Sequence, residues 1–225
     1  MKKVGILIAV EIEAILNSDY ELEEEINIGK FKVYRYHRDS LEIIAIHSGI
    51  GQTQAAAATE ILCSIFNVEA VLNFGVVGAL KPELSLEMVV LVDKIVDYQF
   101  DTSKIDNVLP AQHENYPSIY LDCNNKLLET ASALYPEIKK VTCASGNLFV
   151  THKATKRRLA NKFKCDIVEM EAASIKLIAD MHDVPTLFIK AISDSCTGDA
   201  HQYYEVKLKA AKVCFDTLTS LINKI

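Results

Sequence analysis

Short apolar runs recur along the chain between glycine, proline and charged clusters, and they alternate between β-branched stretches and alanine- or leucine-rich stretches of helical length. Residues 3–10 read as a first buried strand, and 31–36 and 41–48 as two more β-rich segments divided by a turn at Arg38-Asp39-Ser40. Gly49-Ile50-Gly51 leads into an alanine-rich segment, 52–66, with the propensity of a helix. The next strand is read at 68–74, followed by Gly75-Val76-Val77-Gly78 as its exit, with Pro82 ending regular structure before a strand near 87–92. Residues 94–122, rich in turn formers and isolated aromatics, read as a long loop facing a substrate or a second subunit.

The rest of the chain continues the alternation. A helix is predicted over 124–135, a short strand over 141–144, and a charged helix capped by Thr151 and running through 163. A strand at 165–168, a helix at 170–181 and an apolar strand opened by Pro185 follow. The chain closes with a long amphipathic helix, 203–222, whose predicted core contacts include Val206, Leu208, Val213, Phe215, Leu218 and Leu221. Strands alternating with helices, without a repeat period or flexible linker, predict one α/β domain spanning 1–225.

Composition narrows the function classes. Of 225 residues, 24 are basic and 30 acidic, a formal net charge of -6 that gives no electrostatic footprint for nucleic acid. The positive start followed by a short apolar run lacks a signal-peptide cleavage pattern, and no stretch has the apolar length of a membrane helix; a cytoplasmic protein with no membrane partner is expected. The six cysteines are scattered without a disulfide framework or paired ligand spacing, so reduced core thiols are expected. His113, His152 and His201 lack metal-site spacing or a nucleophile partner, so neither a metal nor another cofactor is expected.

The candidate chemistry lies at the carboxyl ends of the late strands, where open α/β sheets bind ligands. Val168-Glu169-Met170-Glu171-Ala172-Ala173 places two acids at a strand-to-helix junction, and Ile189-Lys190-Ala191-Ile192-Ser193-Asp194 is an apolar run ending in a hydroxyl and an acid. As bare residues the two glutamates also read as helix-start groups, and Ser193 as a cap or turn hydroxyl. The pairs Gly49/Gly51 and Gly75/Gly78 either admit a ligand close to the backbone or form tight turns, and neither is a nucleotide-binding fingerprint.

Taken in order, Gly5-Ile6-Leu7-Ile8-Ala9-Val10-Glu11-Ile12-Glu13, Ser48-Gly49-Ile50-Gly51, Asn73-Phe74-Gly75-Val76-Val77-Gly78, Ser145-Gly146-Asn147-Leu148-Phe149-Val150 and the two acidic motifs resemble the nucleoside phosphorylase and nucleosidase superfamily, particularly bacterial 5'-methylthioadenosine/S-adenosylhomocysteine nucleosidases. The resemblance spans most of the chain. It implies a three-layer α/β/α fold with a central mixed sheet, a homodimer, and an adenine nucleoside or thionucleoside as the partner molecule, with a place in methionine salvage.

It also implies roles for individual residues. Asp194 would protonate the departing purine at N7, positioned by Ser193; Glu13 would activate water, and Glu171 would bind the ribose hydroxyls. Phe149 would face the base, Val150 would read its edge through the backbone, and Met170 would face the ribose. Val10, Ile50 and Val76 would wall the sugar and its 5' substituent, with Tyr203 or Tyr204 closing the outer pocket. Glu11 reads as a surface acid, and Glu169 as less suited than Glu171 to hold the sugar.

Departures from the family pattern concern specificity. Val76-Val77 stands where the related branch has a small polar residue and alanine, Lys190 where arginine is common, and Tyr98-Gln99-Phe100-Asp101 where a His-Asp pattern is usual. Rival readings are a phosphate-dependent purine nucleoside phosphorylase, a nucleosidase for another purine nucleoside, and a non-catalytic nucleoside-binding protein. The conjunction of Glu13, Glu171 and Asp194 favours bond cleavage over binding alone.

Overall fold

A computed structural model describes residues 2–16, 18–123, 125–222 and 224. Its strands and helices follow in the order β1 (Lys3–Ile8), α1 (Ile12–Leu16), β2 (Glu21–Ile28), β3 (Phe31–Arg38), β4 (Leu41–His47), α2 (Gln52–Glu60), β5 (Val71–Ala79), β6 (Val89–Asp97), β7 (Leu121–Asp122), α3 (Lys126–Leu134), β8 (Lys139–Ser145), α4 (Lys153–Lys162), β9 (Ile167–Glu169), α5 (Ala172–Met181), β10 (Thr186–Asp194) and α6 (Ala200–Ile222). A π-helical turn, Ile61–Ile65, extends α2, so the predicted helix over 52–66 is continuous in space.

All the strands belong to one mixed sheet. β1 lies parallel to β4 and β5, and β2, β3 and β4 form an antiparallel meander at one edge. At the other end β5 pairs with both β10 and β9, β9 with β8, β8 with β6, and β6 with β10. These five strands therefore close into a ring.

Alternation along the strands sorts the core into layers. Val4, Ile6 and Ile8 of β1 pack with Leu128, Cys214, Phe215 and Leu218, so α1, α3 and α6 cover one face. Leu7, Ile44 and Ile46 pack with Ala55, Ala58, Leu62, Ala173 and Ile175, which puts α2 and α5 on the opposite face. A third cluster joins Leu159 and Ala160 of α4, and Phe163 just past its end, to Val96, Ala144 and Val168. The result is the expected α/β/α architecture.

Several boundaries differ from the sequence reading for physical reasons. β2 was not anticipated, because Glu21–Ile28 is acidic and mostly exposed; it is an edge strand whose Glu24 and Glu25 meet Arg35 and Lys32 across the β2–β3 pair. Residues 75–78 continue β5 instead of leaving it, because β10 and β9 both pair with this stretch. β6 likewise runs to Asp97, so the irregular segment begins later than residue 94. That segment is pinned: Phe100 stacks on His113 at 4.0 Å, and the Tyr116 hydroxyl donates to Asp180 at 2.6 Å.

Helix starts shift as well. Residue 124, the predicted start of α3, lies outside the described residues; Asn125 caps the helix, accepting from the Leu127 and Leu128 amides. His152, not Thr151, is the residue preceding α4, and it supplies no side-chain cap. On α6, Phe215, Leu218 and Leu221 are buried as predicted, but Leu208 is 73% exposed and Val213 also faces outward.

Candidate active site

Ring closure gathers strand ends from distant parts of the chain. Gly78 of β5 is in register with Asp194 of β10 on one side and Val168 of β9 on the other. A Cβ at residue 78 would stand 2.9 Å from Asp194 Oδ2, so glycine is what lets the Asp194 carboxylate lie against the backbone. An inner pocket of about 90 Å³ opens there, lined by Ile50, Val76, Phe149, Met170, Glu171, Ser193 and Asp194 among others. Val10, Glu11 and Tyr203 also line it, and these three continue into an outer cleft of about 680 Å³.

Asp194 is only 4% exposed. Its Oδ1 lies 3.1 Å from the Ser193 hydroxyl, which also reaches the Val77 carbonyl at 3.2 Å. Its Oδ2 accepts from Lys156 Nζ at 2.6 Å. Nothing in the sequence pattern pointed to Lys156, which sits in a charged helix and reads as solvated; only its burial in the fold distinguishes it.

The two acids at the β9–α5 junction separate clearly. Glu169 accepts from the Glu171 and Ala172 amides at 2.9–3.0 Å, so its carboxylate is spent on the free N–H groups at the start of α5. Lys190 lies against it, donating to Asn73 at 2.6 Å and to Glu169 at 3.4 Å. Burial opposes the Lys190 charge, but Glu169 and Glu171 together hold its ammonium above the ordinary lysine value. Lys190 thus serves the floor of the pocket.

Glu171 occupies the position before α5 with no cap bond from its side chain; its carboxylate instead accepts from the Gly51 amide at 2.8 Å. Burial, then the charge on Glu169, pushes this carboxyl up to about 7, while Lys190 and the Gly51 N–H pull the other way. An acid that holds its proton in the folded state up to higher pH than in the unfolded state makes folding less favourable as pH rises between the two values. The unliganded protein is therefore expected to lose roughly 2 kcal/mol of stability between pH 5 and pH 8 through this group, and E171Q to remove that loss. Urea midpoints at both pH values check this; an unchanged pH slope in E171Q would disprove it.

Glu11 and Glu13 both border the cleft, at different depths. Glu11 is half-buried, lines the inner pocket, and accepts from the Val10 and Val76 amides at 3.4 and 3.3 Å. The reading of Glu11 as a surface acid is corrected: its position at the end of β1 turns it toward β5. Glu13, in the first turn of α1, is exposed, lines only the outer cleft, and has no hydrogen-bond partner among the described residues.

Phe149 and Tyr203 meet edge to face at 5.2 Å at the mouth of the inner pocket, and Tyr204 packs on Tyr203 from outside. The Val150 side chain is buried in the third cluster, and the residue lies outside the lining of the inner pocket. His113 bonds to Asp97, which also accepts from Gln52, a brace behind α2. Among the described residues no group of histidine, cysteine and acids could hold a metal ion.

The chain matches known proteins over its whole length. The family model described as Phosphorylase superfamily covers residues 3–223. Aminodeoxyfutalosine nucleosidase of Campylobacter jejuni is 28% identical, with 100% of both chains covered. The 5'-methylthioadenosine/S-adenosylhomocysteine nucleosidase of Glaesserella parasuis is also 28% identical, over 98% of each. The crystal structure of the Helicobacter pylori 5'-methylthioadenosine/S-adenosyl homocysteine nucleosidase in complex with a pyrrolopyrimidine-bearing pyrrolidinol superposes with a TM-score of 0.93 at 28% identity, covering 100% of this chain and 99% of that one.

Proposed function

Because the chain belongs to the phosphorylase superfamily, we propose that it hydrolyses the N-glycosidic bond of an adenine nucleoside, 5'-methylthioadenosine or S-adenosylhomocysteine, releasing free adenine. The observation that carries this reading is the sharing of one pocket by Asp194, at the end of β10, and Glu171, before α5, between the apolar walls of Phe149, Met170, Val76 and Ile50.

In this reading the purine lies toward Phe149 with N7 at Asp194, and the ribose lies over Met170 with its hydroxyls on Glu171. Hydroxyl donors favour the ionised form of Glu171, so sugar binding takes the proton off this acid. The negative charge then faces a ribosyl group that becomes cationic as the bond breaks, an interaction stronger in the transition state than in the ground state. Val10, Ile50 and Tyr203 hold the 5' side. Glu13 takes a proton from the attacking water: Glu11 is occupied with backbone amides, whereas the Glu13 carboxylate has no hydrogen-bond partner among the described residues.

Water is favoured over phosphate because Lys190 is the one cation among the described lining residues of the inner pocket, and it is spent on Asn73 and Glu169. A second substrate is favoured by one observation. The outer cleft, of about 680 Å³, is far larger than a methylthio group needs and suits a bulky 5' substituent; its border mixes Arg38, Lys207 and Lys212 with Glu11, Glu13, Asp19 and Asp216, so size and not charge is the argument, and aminodeoxyfutalosine belongs in the assay. A cytoplasmic homodimer completes the reading, with the exposed Ile105 and Leu109 on the segment between β6 and β7 offering apolar surface to a second copy.

Chromatographic time courses with methylthioadenosine, S-adenosylhomocysteine, aminodeoxyfutalosine, adenosine and inosine, each with and without phosphate, test the proposal. The expected result is adenine and a free sugar in the absence of phosphate. Strict phosphate dependence with a sugar 1-phosphate product would overturn it.

A further inference from the structure

Lys156 is 1% exposed, and its ammonium has three acceptors: Asp194 Oδ2 at 2.6 Å, the Ser195 carbonyl at 2.7 Å and the Gly198 carbonyl at 3.3 Å. A buried lysine is costly unless every proton finds a partner, and here each of the three does. The arrangement is also complete when one proton moves across to Asp194. A neutral amine keeps two N–H groups for the Ser195 and Gly198 carbonyls, and its lone pair can accept from a protonated Asp194. The same three contacts serve both protonation states.

This bears on a difficulty in the proposed reaction. An aspartate that must hand a proton to a purine needs a source for it, and the Asp194 carboxylate is ion-paired to a buried ammonium at 2.6 Å. We propose that Lys156 is the positioning residue that stores this proton, so that the buried Lys156–Asp194 pair acts as a single acid toward the leaving base. The proposal rests on Asp194 being the residue that faces N7.

The step balances. The bond between C1' and N9 breaks with its electron pair staying on adenine, while the oxygen of water bonds to C1'. N7 takes a proton from Asp194, and Asp194 takes one from Lys156, which is left as a neutral amine. The proton shed by the water goes to the carboxylate base, and exchange with solvent after product release restores the ammonium.

The test compares wild type, K156M, K156R and D194N across pH 5–9 with methylthioadenosine and with a nitrophenyl riboside, whose nitrophenolate leaves without protonation. Arginine keeps the charge and the ion pair but gives up no proton in this range. K156M and K156R are both expected to lower kcat for methylthioadenosine on the order of 100-fold at pH 7.5, with little change in KM, and to recover toward acid pH. Nitrophenyl riboside turnover should stay within about threefold of wild type, since no general acid is required for that leaving group.

Restoration of full turnover by K156R would overturn proton storage in favour of a purely electrostatic role. Equal losses on both substrates would reduce Lys156 to a structural group, and a wild-type rate and pH profile in K156M would remove it from the reaction. K156R retains the buried ion pair, so it decides the question even where K156M does not fold. A D194N protein as active as wild type on methylthioadenosine would instead overturn the assignment of Asp194, whatever the Lys156 variants do.

Discussion

Replacing Asp194 with asparagine is expected to lower kcat for an adenine nucleoside by about 100- to 10,000-fold while leaving nucleoside affinity within several-fold. The substitution preserves shape: the asparagine carbonyl can still accept from Lys156, and its amide can still meet the Ser193 hydroxyl. What it lacks is a proton to give. The ground-state complex therefore forms, and the barrier rises at bond cleavage, where negative charge builds on the purine. Rapid-mix single-turnover kinetics with binding measured by fluorescence titration separate the two effects. A D194N protein that binds poorly yet turns over bound substrate at the parent rate would place Asp194 in recognition instead.

A loss of comparable size is expected for E13Q, whereas E11Q should cost less than about tenfold. Glu11 holds the Val76 amide and shapes the wall of the inner pocket, so a glutamine that accepts the same bond substitutes well. Glu13 holds no backbone amide among the described residues. Its proposed work begins once a nucleoside bridges the inner pocket and the outer cleft, with water on the open side of the sugar. Steady-state kcat for both variants decides between them: a larger loss in E11Q than in E13Q would move water activation to Glu11, the carboxylate already in the inner pocket.

The sequence carried the architecture because apolar periodicity and turn residues are local signals. β1, β4, α2, β10 and α6 were readable from runs such as Val4 to Ile8 and from the helical spacing of Phe215, Leu218 and Leu221. What was not readable depended on partners far along the chain. β2 carries its charges on an exposed edge, and Glu24 breaks the apolar alternation of Leu22, Ile26 and Ile28. The passage of β5 through two glycines required knowing that β9 and β10 pair with it there.

The site divides in the same way. Glu171, Ser193, Asp194 and the apolar wall stood in motifs, and the fold brings them to one pocket. Lys156 reaches Asp194 across 38 positions from a helix that reads as solvent-facing, and Glu11 differs from Glu13 because it precedes a five-residue helix whose first turn holds Glu13. No spacing rule encodes either relation.

The closed ring of β5, β9, β8, β6 and β10 has an evolutionary consequence. Gly78, Glu169 and Asp194 stand where three of its strands meet, so a change at any of them has to be absorbed by the whole ring. Ile50, Phe149 and Tyr203 project from loops and a helix start outside it. Substitutions there can alter which 5' group is admitted without displacing a strand. Such a scaffold lets substrate choice diverge between lineages while the bond-breaking apparatus is inherited intact.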